Sequence, residues 1–351
     1  MSSTGSDGVG GNSSDCEHDL NDWEHAMEQL YTWLYLIILV PGLLGNTLAL
    51  WVLCRFIRKK TKAVIFMINL AVADLLHVLS LPLRIYYYFT HSWPFGHAMC
   101  LLCFYLKYLN MYAGITFLMC ISIQRCAFLM HPFCAKGWKR RYDVRISTAV
   151  WLVVGLCCTP FILMRISSSG GSSTQESPAT NVSFHADLPN TSSCFKDLPM
   201  RKLELHQAVP MIAFAELFGF VLPLTVILVC SCLIRRSLRK ADQERSRDTT
   251  RRALRMVLVC TGVFLVCFAP YHINFVLYMM VSQQLVTNCD VVLAVRRFHP
   301  VSLCIASLNC CLNPLIYYFL TTEFRDHLVR TGSSVLRGRL MSMESTSSAK
   351  E

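Results

Sequence analysis

Seven long, mostly apolar stretches recur along this chain: Leu30–Cys54, Ala63–Phe89, Met99–Cys126, Ile146–Ile166, Gln207–Ile234, Ala253–Val281 and Phe298–Leu320. An α-helix rises about 1.5 Å per residue, so about 20 residues cross the roughly 30 Å hydrocarbon layer of a bilayer. Each stretch is long enough to span. Charged residues make up 16% of the chain, well below the roughly 25% of soluble domains. The 351 residues therefore do not divide into soluble domains of about 150 residues. The fold class expected is an all-α membrane protein, a seven-transmembrane helix bundle. It divides into an extracellular disordered N-terminus (1–29), the bundle (30–320) and a cytoplasmic helix and tail (321–351).

The formal charge of +11 has to be placed before its sign means anything. Of the 33 Lys and Arg, 24 fall in four segments: "RFIRKKTK" after the first stretch, Lys136–Arg145, Arg235–Arg255, and the tail from Thr321. Met1–Gln29 holds seven acids and no Lys or Arg, and Thr90–Ala98 has no Lys or Arg either. Basic segments lie on the cytoplasmic side of a membrane, so the N-terminus is outside, the C-terminus inside, and the number of crossings odd. Nucleic-acid binding is disfavoured, because aromatic residues are not interleaved with the basic ones as a stacking surface requires.

Three glycosylation triplets, at Asn12, Asn181 and Asn190, all fall in segments this topology places outside. The first thirty residues show no apolar core of a cleavable signal, so the first span is expected to direct insertion itself. Most of the 18 cysteines lie within spans, as small apolar packing residues. Cys16, Cys100, Cys194 and Cys289 lie outside or at outer span ends, and four cysteines allow three pairings. The favoured one joins Cys100 to Cys194 and Cys16 to Cys289. No spacing has a metal signature.

Proline occurs inside six of the seven stretches, at Pro41, Pro82, Pro160, Pro223, Pro270 and Pro314. In a soluble helix each would cost about 3 kcal/mol. In a membrane bundle neighbours re-satisfy the freed carbonyls, and the kinks leave cavities and hinges. The tail stretch "TEFRDHLVR" is amphipathic enough to lie on the inner leaflet.

Gly45-Asn46, "NLAVADL" (Asn69–Leu75), Cys100, Arg125, Trp151, Pro223, "CFAPYH" (Cys267–His272) and "NPLIY" (Asn313–Tyr317) occur in order along residues 30–330. Together they resemble the rhodopsin-like G-protein-coupled receptors. The resemblance implies a receptor that promotes nucleotide exchange on heterotrimeric G proteins, lies in the plasma membrane and is silenced by receptor kinases and arrestin. It also implies an activation switch of Arg125, Phe268, Pro270, Asn313, Pro314 and Tyr317. Arg125 matches the arginine of the family's Asp-Arg-Tyr motif, but the acid before it is Gln124. A neutral neighbour holds the arginine less well, and higher basal signalling is expected. Phe268 stands where the family usually has tryptophan. Asn46, Asp74 and Asn309, with Asn313, resemble the polar set that holds a sodium ion, though Gly114 stands where a serine usually helps. A mid-span carboxylate is costly, so Asp74 is read as functional.

On span two, Asp74, His77, Leu81, Arg84 and Tyr88 follow spacings of three and four, one helical face. If Asp74 faces inward, Arg84 and Tyr88 line the outer cavity. Lys107, Tyr108, Arg165, Lys196, His272 and Arg297, with Arg296 and His299 nearby, complete a set of basic and aromatic groups around an apolar well. Such a set suits an anionic head group with a hydrocarbon tail. Amine receptors of the family carry an aspartate where Lys107 stands. Nucleotide receptors carry a cation where Phe275 stands. The wording "LPLRIYYY", "WPFG" and "FAPYHINF" resembles the purinoceptor-like branch that recognises lysophosphatidylserine. In that reading Arg84 and Arg165 take the phosphate and carboxylate, Glu216 the serine ammonium, and the aromatics of spans three to five the acyl chain. The Rho-activating G proteins are implied by the same resemblance.

Competing classes fare worse. A nucleotide receptor is the runner-up. A channel or transporter would need internal repeats or half-helix pairs, and neither is visible. No enzyme motif such as HExxH or GxSxG occurs.

Overall fold

No water reaches the hydrocarbon layer, so backbone N–H and C=O groups there must pair within their own segment, and a long apolar stretch becomes a helix. The structure, a computed structural model, describes residues 13–57, 64–169, 194–195, 205–240, 244–286 and 288–320. Its helices are α1 (Ser13–Val52), α2 (Val64–Thr90), α3 (Gly96–Met130), α4 (Pro132–Gly137), α5 (Arg140–Ser169), α6 (Leu205–Glu216), α7 (Leu222–Arg239), α8 (Glu244–Ser282), α9 (Cys289–Ser307) and α10 (Asn309–Leu320). Spans one to three are α1 to α3, and span four is α5. Span five is α6 and α7 joined by a π-helical turn at Leu217–Val221, span six is α8, and span seven is α9 with α10. Seven helical stretches among the described residues are long and apolar enough to cross a membrane. The chain is a multi-pass membrane bundle.

The outer surface explains why it needs lipid. On α1, Trp33, Ile37, Val40 and Leu44 recur at helical spacing and are 58 to 67% exposed. Apolar stripes of this size are not left facing water. The opposite faces close a core around Met67, Leu70, Phe117, Leu118, Phe264 and Phe268. Glycine allows two helices to meet at Gly45, where a Cβ would sit 3.0 Å from Cγ of Pro314 on α10.

Polar side chains pin the spans to one another. Trp151 Nε1 on α5 donates to Asn69 Oδ1 on α2 at 2.8 Å, and Tyr105 OH on α3 donates to Gly155 O on α5 at 3.2 Å. Interhelical bonds of this kind contribute about 0.6 kcal/mol each in a bilayer. The disulfide Cys100–Cys194 is formed, fastening Phe195 over the outer end of α3.

One expected boundary is corrected. The first helix begins at Ser13, so residues 13–29, expected to be disordered, are helical. At 40 residues α1 is about 60 Å long, roughly twice the hydrocarbon thickness. Trp23, Met27, Tyr31 and Tyr35 continue the inward stripe at intervals of four, and Trp23 Nε1 donates to Arg297 O on α9 at 3.2 Å. The expected inner-leaflet helix and Ser/Thr tail lie outside the described residues.

Candidate functional site

The middle of the bundle holds Asp74, fully buried. Its Oδ1 accepts Asn110 Nδ2 from α3 at 2.9 Å, and its Oδ2 accepts Asn313 Nδ2 from α10 at 2.9 Å. Asn309 Nδ2 donates onward to Asn110 Oδ1 at 3.3 Å. Asn46 Nδ2 bridges Gly42 O on its own helix and Cys310 O on α10, both at 2.8 Å. A tight turn at Leu308, between α9 and α10, carries Asn309 and Cys310 into this network. The amide oxygens Asn46 Oδ1 and Asn313 Oδ1 are buried and find no hydrogen-bond partner among the described residues. Anionic and amide oxygens with spare lone pairs are the donor types a hard monovalent cation takes.

At the inner end of α3, Arg125 Nε and Nη2 are buried and likewise find no partner among the described residues. Gln124 is turned away from the arginine. Its Nε2 donates to Asp143 Oδ1 on α5 at 2.7 Å, and Trp138 Nε1 donates to the same oxygen at 2.7 Å. The acid missing from position 124 has a counterpart in Asp143, but it holds the glutamine and the second inner loop rather than Arg125.

Above the centre, Phe268 is fully buried and meets Phe264 edge-on at 5.7 Å. One turn further out, His272 Nδ1 and Glu216 Oε1 lie 3.0 Å apart, joining spans five and six. Phe220 stacks on the imidazole at 4.9 Å and Tyr112 meets its edge at 5.9 Å. Glu216 ends α6 where the π-helical turn begins, and such turns cluster at functional sites. The turn brings Gly219 so close to α3 that a Cβ there would lie 2.6 Å from Cε1 of Tyr112. Pro270 lies within α8 between Phe268 and His272, where it can hinge.

Two cavities flank this centre. The outer vestibule, about 390 Å³, is lined by residues of spans one, two, six and seven and by Phe195; Tyr88, Arg296 and His299 are among them. The other, about 370 Å³, is a crevice between spans three, four and five lined by Tyr112, Thr116, Val154, Pro160, Met211 and Phe218, with further apolar neighbours. Its rim residues Val153 and Phe218 are more than half exposed on the lipid-facing surface.

The face predicted on span two is inward as expected, but its arginine lies deeper than expected. Arg84 is 2% exposed and does not line the vestibule. Its Nη2 donates to Cys103 O at 2.7 Å, and its guanidinium lies 4.4 Å from the ring centroid of Phe195 and 5.6 Å from that of Phe104. Phe195 thus lines the vestibule and also packs against Arg84. Tyr88, one turn further out, does line the vestibule. Lys107 points across the bundle to Tyr35 OH at 3.5 Å, and Tyr108 joins it along a narrow gap against α9. Arg296 reaches the vestibule, whereas Arg297, about 100° further round the helix, supplies its carbonyl to Trp23.

Several expected residues lie outside the described ones: Lys196, Asn12, Asn181 and Asn190, and the side chains of Arg165, Tyr317 and Cys16. Cys289 is disulfide-bonded. Sequence reasoning missed Asn110, Asp143, Glu28 and Phe195. Asn110 sits one turn before Gly114, and Asp143 is an acid in a first helical turn, the position the dipole favours; both signals were available. Phe195 had none beyond following a cysteine.

The sequence model of the family described as 7 transmembrane receptor (rhodopsin family) matches residues 45–317. The chain is 54% identical to a Homo sapiens protein named as a putative purinoceptor, number 10 of its series, over 91% of this chain and 89% of that protein. It is 48% identical to "Probable G-protein coupled receptor 174" of Homo sapiens, over 86% of each. With "Lysophosphatidic acid receptor 6" of Mus musculus identity is 33%, over 94% of this chain and 90% of the relative.

Proposed function

Because this chain belongs to the rhodopsin family of seven-transmembrane receptors, we propose that it is activated by a lysophospholipid, lysophosphatidylserine first, and drives nucleotide exchange on a heterotrimeric G protein. The observation that carries this reading is a pair of features on one bundle. Arg84 and Lys107 are basic groups at the outer interior, and an apolar crevice opens toward lipid beside Tyr112 and Thr116. Along α3, Lys107 and Tyr112 are about 8 Å apart, within the length of one lysophospholipid. Arginine pairs with phosphate by two parallel hydrogen bonds, and a chain of methylenes gains about 0.8 kcal/mol for each group buried. A relative named for lysophosphatidic acid supports the lipid class.

Activation is a population shift, and the agonist must bind the active bundle better than the resting one. Lipid in the crevice presses on Tyr112, which meets His272, and His272 ties span five to span six beside the Pro270 hinge. Outward movement of span six, which carries Phe268 and the Pro270 hinge, would open the inner end where Arg125 waits. Moving the equilibrium from 1:99 to 99:1 requires about 10⁴-fold preference for the active state. Asp74 with the Asn313 amide oxygen fits a sodium ion, as the family implies, and Asn46 ties α1 to the same region by donating to Cys310 O. Bound there, the ion would supply positive charge to a buried carboxylate. The N-terminus faces outside at the plasma membrane, the G protein is of the Rho-activating class, and receptor kinases and arrestin act on the Ser/Thr tail.

The test is G-protein dissociation in intact cells challenged with lysophosphatidylserine, lysophosphatidic acid, sphingosine phosphate, and uridine or adenine nucleotides. Wild type is compared with Arg84→Ala, and surface level is read from an N-terminal epitope without permeabilisation. The expected result is a lysophosphatidylserine response reduced at least tenfold by the substitution. A nucleotide response that the substitution spares would sink the lipid reading, and an epitope silent until cells are opened would sink the topology.

A further inference from the structure

Spans five and six leave a further groove between them, about 330 Å³, with Glu216 at its inner end and Gln283 at its outer end. Between those ends the lining is apolar, Ile212 and Met279 included. The groove faces lipid, since Val209 on one lip and Leu285 on the other are more than half exposed. Among the described residues, none lines both this groove and the crevice between spans three, four and five. Glu216 presents a carboxylate to it. Its Oε1 lies 3.0 Å from Nδ1 of a fully buried His272, while the Glu216 side chain keeps 16% of its surface open. Oε2 has no hydrogen-bond partner among the described residues. A carboxylate oxygen open to hydrocarbon is costly unless a donor meets it. Because the imidazole already engages this carboxylate, a neutral donor is enough, and a hydroxyl enters hydrocarbon far more readily than an ammonium does.

The spacing of the two polar ends narrows the ligand. His272 is level with Glu216, and Gln283 lies three turns further out on the same helical run, which its N–H continues by donating to Met279 O at 3.0 Å. Three turns rise about 16 Å, close to the length of a sterol from its ring hydroxyl to the end of its tail. Ala208 and Ala213 keep the wall on span five shallow, which suits a flat body, and a rigid ligand loses little freedom on binding. A sterol lies in a bilayer with its ring hydroxyl at the interface, the level of Gln283, and its tail pointing inward. We infer that this groove binds a sterol carrying a hydroxyl at the end of its tail. The tail hydroxyl donates to Glu216 Oε2, and the ring hydroxyl meets the Gln283 amide. Seated there, the sterol braces the two spans that the Glu216 and His272 pair joins beside the Pro270 hinge. The site goes beyond the lysophospholipid reading and does not depend on it.

The experiment uses the full chain purified into sterol-free phospholipid nanodiscs. The probe is radiolabelled cholesterol with an added hydroxyl at the end of its tail, displaced by itself, by plain cholesterol and by lysophosphatidylserine. The expected result is saturable binding that plain cholesterol displaces about tenfold or more less well, about 1.4 kcal/mol, and that saturating lysophosphatidylserine does not abolish. Ala213→Phe, at an exposed position on the lipid face, fills the groove and should weaken probe binding about tenfold or more. Glu216→Gln keeps a hydrogen bond to the ring but loses the charged acceptor, so the two sterols should come to bind nearly alike. Affinity rather than capacity is compared, so a partly unfolded variant does not mimic the loss. Plain cholesterol that displaces the probe from wild type as well as the probe itself does overturns the assignment. So does unchanged probe affinity on Ala213→Phe, or a hydroxyl preference that survives Glu216→Gln intact. Complete displacement by lysophosphatidylserine would put the sterol in the crevice instead and overturn the site.

Discussion

At Gln124 one amide decides what Arg125 meets. The amide donates to Asp143 at 2.7 Å, sharing that oxygen with Trp138. Aspartate in its place would set two carboxylates against each other, and like charges at that range repel. The new carboxylate is driven toward Arg125, whose Nε and Nη2, without a hydrogen-bond partner among the described residues, can donate to it in a charge-assisted pair of about 1.5–3 kcal/mol. Ligand-free signalling by Gln124→Asp should therefore fall several-fold at matched surface level, measured as basal G-protein dissociation. A basal signal that stays level or rises would show that Arg125 is not what position 124 controls. The sequence showed the missing acid plainly, because it sits next to the arginine. It did not show Asp143 as its substitute, since those two residues are 19 positions apart and meet only through packing of α3 on α5.

Span five is the element whose irregularity the sequence hinted at through Pro223 but did not locate. The π-helical turn at Leu217–Val221 follows Glu216 and turns the helix so that Glu216 reaches His272 while Gly219 passes against Tyr112. This tie joins spans five and six at the level of the Pro270 hinge. His272→Ala removes it and leaves the Glu216 carboxylate without that partner, a cost of about 1.5–3 kcal/mol. The melting midpoint of the detergent-solubilised protein should drop by roughly 3–10 °C. Glu216→Gln, which can still hydrogen-bond the ring, should lose less. Equal midpoints for wild type and His272→Ala would remove the tie from any account of how these spans are held.

At the scale of the bundle, the Asp74 network joins four spans, with hydrogen bonds to its side chain on α2 from α3 and α10 and a further tie from α1 through Asn46 and Cys310. A cation held there would favour one arrangement of these helices, and by linkage agonist and ion affinities must then oppose or support each other equally. Raising sodium in place of choline should shift agonist potency on wild type, and Asp74→Asn should abolish that shift because the anionic ligand is gone. The same shift in both proteins would place the sodium effect elsewhere.

Apolar length, the placement of Lys and Arg, and the period of three and four on span two determined the class, the number of spans and the inward face of Asp74 and Arg84. Those properties follow from the solvent, because a bilayer leaves a chain of this composition one backbone solution, and a helix repeats in sequence as it does in space. Local pattern also carried the stripe from Trp23 to Tyr35, although the acidic, serine-rich start of the chain hid it. Which polar group meets which was decided only by tertiary structure. Phe195 covers Arg84 because a disulfide holds it there, Glu216 is engaged by His272 because span five bulges, and Glu28 faces Arg296 across a vestibule because α1 runs on past the membrane. Each of those relations joins residues far apart in the chain, and their partners are set by how helices pack, which no local pattern encodes.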